Sequence, residues 1–156
     1  MTGTSSPHPE PGCIFCQALD LPGQATLVVH RGERAFVILN LYPYNNGHLM
    51  VVPRRHIAAL AEAEPEELHE LMALTQRAEM ALTEAYQPHG LNVGLNLGRA
   101  AGAGVADHLH IHLVPRWNGD TNFMTVVSEV RVLPETLEET ARRLRPIFER
   151  LSAART

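Results

Sequence analysis

The sequence predicts an α+β domain, an antiparallel meander of about five strands with two helices covering one face. Three observations carry this. Short aliphatic runs bounded by turn signals come first, and two stretches with helical spacing lie between and after further strand-like runs. One run, Asp107-His-Leu-His-Ile-His-Leu-Val-Pro-Arg116, alternates histidine with aliphatic residues, the period of a strand with two unlike faces.

The elements follow in order. Met1 to Gly12 is rich in Pro, Ser, Thr and Gly and offers little to bury, so it is expected to be a flexible leader, with residues 13–156 forming a single domain. Strands are expected at Thr26 to His30, Ala35 to Leu39 and His48 to Val52. Turns at Arg31-Gly32-Glu33 and Pro43-Tyr44-Asn45-Asn46-Gly47 join them, and Asn-Gly is a dipeptide that tolerates positive φ. A helix from Pro65 to Tyr86 is read from Leu68, Leu71, Met72, Thr75, Ala78 and Leu82, which recur at three and four. Pro65 suits its first turn, and Glu66 and Glu67 suit its positive dipole end. Pro88-His89-Gly90 stops that helix. Leu91 to Leu97 alternates again, a glycine- and alanine-rich loop spans Gly98 to Gly104, and the histidine strand follows, expected at the centre of the sheet. A last helix runs from Pro134 to about Ala153, with Pro146 expected to kink it.

Composition excludes several classes. With 45% apolar residues, 19% charged residues and a net charge of -4, the chain is ordinary globular protein and lacks the basic footprint of a nucleic-acid or membrane-surface binder. It contains no apolar run long enough to span a bilayer, and its start has neither a basic nor an apolar signal segment, so a cytoplasmic protein is expected. Cys13 and Cys16 are the only cysteines. In a reducing compartment, Cys-Ile-Phe-Cys suggests metal binding or redox chemistry more than a structural disulfide, and two thiolates would need two further ligands.

His108, His110 and His112 share one face of their strand while Leu109, Ile111 and Leu113 share the other. A lone histidine there would read as a hydrogen-bonded core residue. Three on one face read as a site, because imidazole serves as nucleophile, base, acid or metal ligand near neutrality. His8, His30, His69 and His89 are expected at the surface.

The histidine run, preceded by Asn45-Asn46-Gly47-His48-Leu-Met-Val-Val-Pro53-Arg-Arg-His56, resembles the histidine triad (HIT) superfamily of nucleotidyl hydrolases and transferases over roughly Cys13 to Arg116. The following Pro115-Arg116-Trp117-Asn118-Gly119-Asp120-Thr121-Asn122-Phe123-Met124 resembles the branch that includes bacterial diadenosine tetraphosphate phosphorylases. The resemblance implies that His110 attacks the α-phosphorus of a dinucleoside polyphosphate, forming a nucleotidyl-histidine that a second acceptor then removes. It implies that His112 and His48 bond the phosphoryl oxygens.

For nucleotide binding, the resemblance points to Asn40 at the ribose and to Asn96 just ahead of the catalytic strand, although either could instead be an ordinary turn residue. Gly102 and Gly104 could bring backbone N–H groups close to phosphate, although a glycine-alanine connection is more often just a tight turn. Arg116 could pair with phosphate, and Trp117 could stack on a base or close a subunit contact. Arg54 and Arg55 read either as polyphosphate attractors or as solvated charges. The resemblance also implies a structural zinc on Cys13, Cys16, His56 and His108, no organic cofactor, and a homodimer acting on a nucleotide.

Other readings stand beside this one. They are hydrolysis of nucleoside phosphoramidates or other nucleotide conjugates, a non-catalytic nucleotide-binding module, and a metal catalyst ligated by all three triad histidines. Against the last, Asp107 is the only nearby carboxylate and falls on the opposite face.

Overall fold

The computed structural model describes residues 12–21, 26–102, 108–120 and 134–154. The expected leader up to Pro11, Gly104, Asp107 and the stretch 121–133 lie outside them. The elements are α1 (Ile14–Gln17), β1 (Val28–Arg31), β2 (Ala35–Leu39), β3 (Leu49–Pro53), α2 (Pro65–Tyr86), β4 (Gly90–Gly94), β5 (Ile111–Arg116) and α3 (Leu137–Ala154), with 3-10 turns at Leu60–Glu62 and Arg99–Ala101.

All five strands form one antiparallel sheet in the order β1-β2-β3-β5-β4. The central strand is β3, not the histidine strand, which lies one in from the edge because β4 pairs outside it. β4 is shorter than the expected Leu91 to Leu97 run and mostly exposed. The histidine strand is also shorter than the alternation suggests. Regular pairing begins at Ile111, while Leu109 donates its N–H to the Ile57 carbonyl at 2.7 Å.

α2 starts where the sequence places it. Pro65 occupies the first turn, and the Glu67 carboxylate accepts the Glu64 N–H at 2.7 Å. Its buried stripe is Leu71, Leu74, Thr75, Ala78, Ala81 and Leu82, whereas Leu68 and Met72 are 41% and 64% exposed, so the apolar face is rotated from the one read in the sequence. α3 begins three residues after Pro134 because Thr136 caps it. The Thr136 hydroxyl accepts the Glu139 N–H at 3.1 Å and the Glu139 carboxylate accepts the Thr136 N–H at 3.0 Å. α3 continues through Pro146.

Alternation in the strands separates two cores. Val37, Leu39, Leu49, Val51, Ile111 and Leu113 face α2 and α3, joining Leu71, Leu82, Leu144 and Phe148. On the opposite face Phe36, Ile38, Met50 and Val52 pack with Cys13, Phe15 and Ala18. The face that α2 and α3 leave uncovered is therefore partly roofed by the turn that carries the two cysteines. His30, expected at the surface, is only partly exposed and stacks on Phe148 with ring centroids 5.6 Å apart. His69 and His89 are exposed as expected.

Candidate active site and metal centre

β5 and the segment before it carry the triad, the residue before β3 supplies His48, and the bridge after β3 supplies His56. His48, His56, His108 and His110 are buried and His112 half-buried. The His110 and His112 rings lie 4.7 Å apart, and those of His48 and His112 5.2 Å apart.

Main-chain partners fix the protons on these rings, because a carbonyl can only accept and an N–H can only donate. His108 donates from Nε2 to the Pro53 carbonyl at 2.7 Å, which leaves the Nδ1 lone pair free. His110 donates from Nδ1 to the His108 carbonyl at 2.8 Å, which leaves its Nε2 lone pair free. His48 accepts the Tyr44 N–H at Nδ1, 3.0 Å away, so its proton sits on Nε2, which lies 3.0 Å from Nδ1 of His112. His112 thus accepts at Nδ1 and carries its own proton on Nε2.

The Asn40 amide nitrogen lies 3.3 Å from the same His48 Nε2. Its Oδ1 is already taken by the Tyr42 N–H at 2.9 Å, so two donors face each other there and the shorter His48–His112 contact is the hydrogen bond.

Burial favours the neutral form of each ring. It lowers His48 to about 4, helped by the neighbouring His112 and His110. Burial lowers His110 as well, opposed by its bond to the His108 carbonyl, and lowers His112, with His110 adding to the effect.

Behind the triad, Cys13 Sγ, Cys16 Sγ, His56 and His108 bring one ligand atom each to within 4.8 Å of one another. Cys13 Sγ and Cys16 Sγ lie 3.4 and 3.6 Å from His108 Nδ1, Cys16 Sγ lies 3.2 Å from His56 Nδ1, and the two Nδ1 atoms are 3.2 Å apart. Tetrahedral zinc with bonds of about 2.0 to 2.3 Å sets ligand atoms roughly 3.3 to 3.8 Å apart, so the donor set fits. Phe15, between the two cysteines, sets its ring 5.4 Å from that of His108 and 5.0 Å from that of His110.

The other expected residues divide. Asn40 is beside His48. Asn96 and Gly102 meet each other in an exposed loop, where a Cβ on Gly102 would lie 3.5 Å from the Asn96 amide nitrogen. Arg116 is held by Asp120 at 2.7 Å and by Asn92 at 2.5 Å, and it lies over the Tyr44 ring at 5.2 Å. Trp117 is half-buried, and its main-chain N–H donates to Asp120 at 2.8 Å. Arg54 donates to the Gly32 carbonyl and Arg55 to the Glu67 carboxylate, so both are engaged within the fold.

Sequence reasoning passed over Phe15, the Pro53 carbonyl, the Tyr44 N–H, Asn45 and Asp120. Phe15 was inside a motif already singled out, but main-chain donors and acceptors carry no residue signature.

Comparison with known proteins gives a consistent result. The HIT domain family model matches residues 23–119. An AP-4-A phosphorylase of Mycobacterium tuberculosis is 48% identical over 134 residues, covering 86% of this chain and 69% of the relative. The crystal structure of a Zn-bound histidine triad family protein from Mycobacterium smegmatis superposes with a TM-score of 0.71 at 33% identity, over 91% of this chain and 96% of that one. A hypothetical histidine triad nucleotide-binding protein of Sulfolobus tokodaii gives a TM-score of 0.71 at 27% identity, over 90% and 94% of the two chains.

Proposed function

The chain belongs to the HIT family, and from that premise we propose that it transfers a nucleotidyl group from a dinucleoside polyphosphate through His110, as a diadenosine tetraphosphate phosphorylase. The observation that carries this reading is the 2.8 Å bond from His110 Nδ1–H to the His108 carbonyl, which leaves an aimed, unprotonated Nε2. Nε2 attacks the α-phosphorus, the bond to the bridging oxygen breaks, and ATP departs. The oxygen of inorganic phosphate then attacks the same phosphorus, the P–N bond breaks, and ADP is released. His112, with its proton on Nε2, donates to the phosphoryl oxygens, and His48 holds it in that tautomer. Asn40 takes the ribose. Asn96 and Gly102 would face the phosphates, while Arg116 and Trp117 would border the leaving nucleotide.

Zinc on Cys13, Cys16, His56 and His108 would brace the N-terminal turn against the sheet, a closed structural site with no open coordination position. His108 therefore serves the fold while His110 serves the reaction.

Residues 13–156 act as one domain, a reading supported by the packing of α3 on α2 and β1. Two copies would join through α2 and the edge strand β4. The support is the exposure of Met72 at 64% and Val93 at 50%, both lining a groove of about 950 Å³ between those elements. Among the described residues no helix is long and apolar enough to cross a membrane.

The test is incubation with diadenosine tetraphosphate, with and without inorganic phosphate, followed by nucleotide separation and intact-protein mass measurement. ADP formed only with phosphate, and a nucleotidyl adduct absent from His110→Ala, is the expected result. AMP in plain buffer would make the protein a hydrolase, and full turnover by His110→Ala would defeat the reading.

A further inference from the structure

We propose that Asn45 and Asp120 form a latch that holds His48 against His112, making both of them positioning residues; the proposal rests on the nucleotidyl-transfer reading above. The regular ladder between β3 and β5 ends at the pair Leu49↔Leu113. His48, one residue beyond it, is held on the β2 side, where its carbonyl accepts the Asn40 N–H at 3.0 Å, but has no ladder partner on β5, so its position against His112 depends on a different tether to that strand.

That tether is on the Asn45 side chain. Its Nδ2 donates to the Pro115 carbonyl at 2.9 Å and to Asp120 Oδ2 at 2.8 Å. The main-chain carbonyl of Asn45 accepts the His48 N–H at 3.1 Å. The preceding residue, Tyr44, gives the N–H that fixes the His48 ring. One pinned segment thus sets both the backbone and the tautomer of His48.

Asp120 is built to hold the other end. Its side chain is 11% exposed, and its carboxylate accepts from Arg116 Nη2 at 2.7 Å, Arg116 Nε at 3.0 Å, the Trp117 N–H at 2.8 Å and Asn45. Arg116 ends β5, the strand that carries His112. The Asn45–Asp120 bond, spanning 75 residues of sequence, therefore joins the two segments whose histidines meet at 3.0 Å. A turn that served shape alone would leave the His48 ring indifferent to Asn45.

The test compares full-length wild-type protein with Asn45→Ala, Asp120→Ala and Asp120→Asn, using diadenosine tetraphosphate turnover and imidazole ¹⁵N resonances. Displacing a positioned group by about 1 Å costs on the order of 10²-fold in rate, so kcat in the alanine variants should fall by about 10- to 100-fold, with KM changed by less than about threefold. The His48 resonances should move from a fixed Nε2–H form toward a mixture of tautomers. Asp120→Asn keeps an acceptor for Asn45 and should fall between wild type and Asp120→Ala.

A kcat for Asn45→Ala within about twofold of wild type overturns the latch, as do unchanged His48 and His112 resonances in a folded variant. If the alanine variants fail to fold, Asp120→Asn decides by the same two readouts. A wild-type protein without turnover defeats the nucleotidyl-transfer reading, while the resonances still decide the latch.

Discussion

His48 Nε2 and His112 Nδ1 meet at 3.0 Å, and the Tyr44 N–H behind His48 leaves only one direction for the shared proton. A backbone amide thereby sets the polarity of a side chain two hydrogen bonds away. His112 is left with Nε2–H as its free donor, on the same side of the sheet as His110.

Removing one aimed donor from a developing phosphoryl charge costs on the order of 10²-fold, so His112→Ala should lower kcat by about that factor. His48→Ala should lower it less, because the His112 ring stays in place and loses only the partner that selects its tautomer. Steady-state kinetics on the two variants check the order, and equal or reversed losses would contradict the relay.

Acid sensitivity follows from burial. His48 is lowered to about 4 in the folded chain, against about 6.5 when unfolded. Between those values the unfolded state binds more protons, so the stability linked to neutral His48 is complete above pH 6.5 and is lost as pH falls toward about 4. Wild-type protein should therefore lose Tm more steeply than His48→Asn across that interval. With His110 and His112 lowered too, kcat/KM should hold at pH values where free imidazole is already protonated. An acid limb centred at 6.5 or above would contradict this.

Metal removal should act on the fold before the chemistry. Purified protein should carry about one equivalent of zinc per chain, measured by elemental analysis, and Cys16→Ser should lower that content. Chelation should depress Tm and expose Phe15, which packs in the same cluster as Cys13. Loss of activity with Tm unchanged would contradict a bracing role.

What could be read in the sequence was whatever depends on period or residue type. The alternation at His108, His110 and His112 gave the strand and its two faces, and Pro65 with Glu67 gave the start of α2. The cysteines with His56 and His108 were grouped from a family resemblance, and the structure brings those four together. Strand order was not readable, because nothing local in Gly90–Gly94 says that it pairs outside β5. The face of α2 was misjudged at Leu68 and Met72, since apolar residues recur there on more than one side of the helix. The ion pair of Arg116 with Asp120, four residues on, was not read in advance; Arg116 holds the Asp120 carboxyl at about 2.

Two of the glycines with positive φ, Gly47 and Gly102, should respond differently to alanine. Gly47 has φ 84°, and a Cβ there would lie 2.9 Å from Tyr86 Cε2, 3.1 Å from Leu82 Cδ2 and 3.2 Å from Pro115 Cγ. Gly47→Ala therefore incurs both the left-handed backbone cost of about 1–2 kcal/mol and an overpacking cost of about 1–3 kcal/mol. Gly102 has φ 100°, but its nearest neighbour would be the Asn96 amide nitrogen at 3.5 Å, an ordinary contact, so only the backbone cost applies. Chemical denaturation should show Gly47→Ala as clearly the less stable variant. Because Gly47 immediately precedes His48, its kcat should fall as well, by strain passed directly into the ring that holds His112. Equal destabilisation by the two substitutions would mean that Tyr86, Leu82 and Pro115 yield freely, and that the loop under His48 is softer than its contacts indicate.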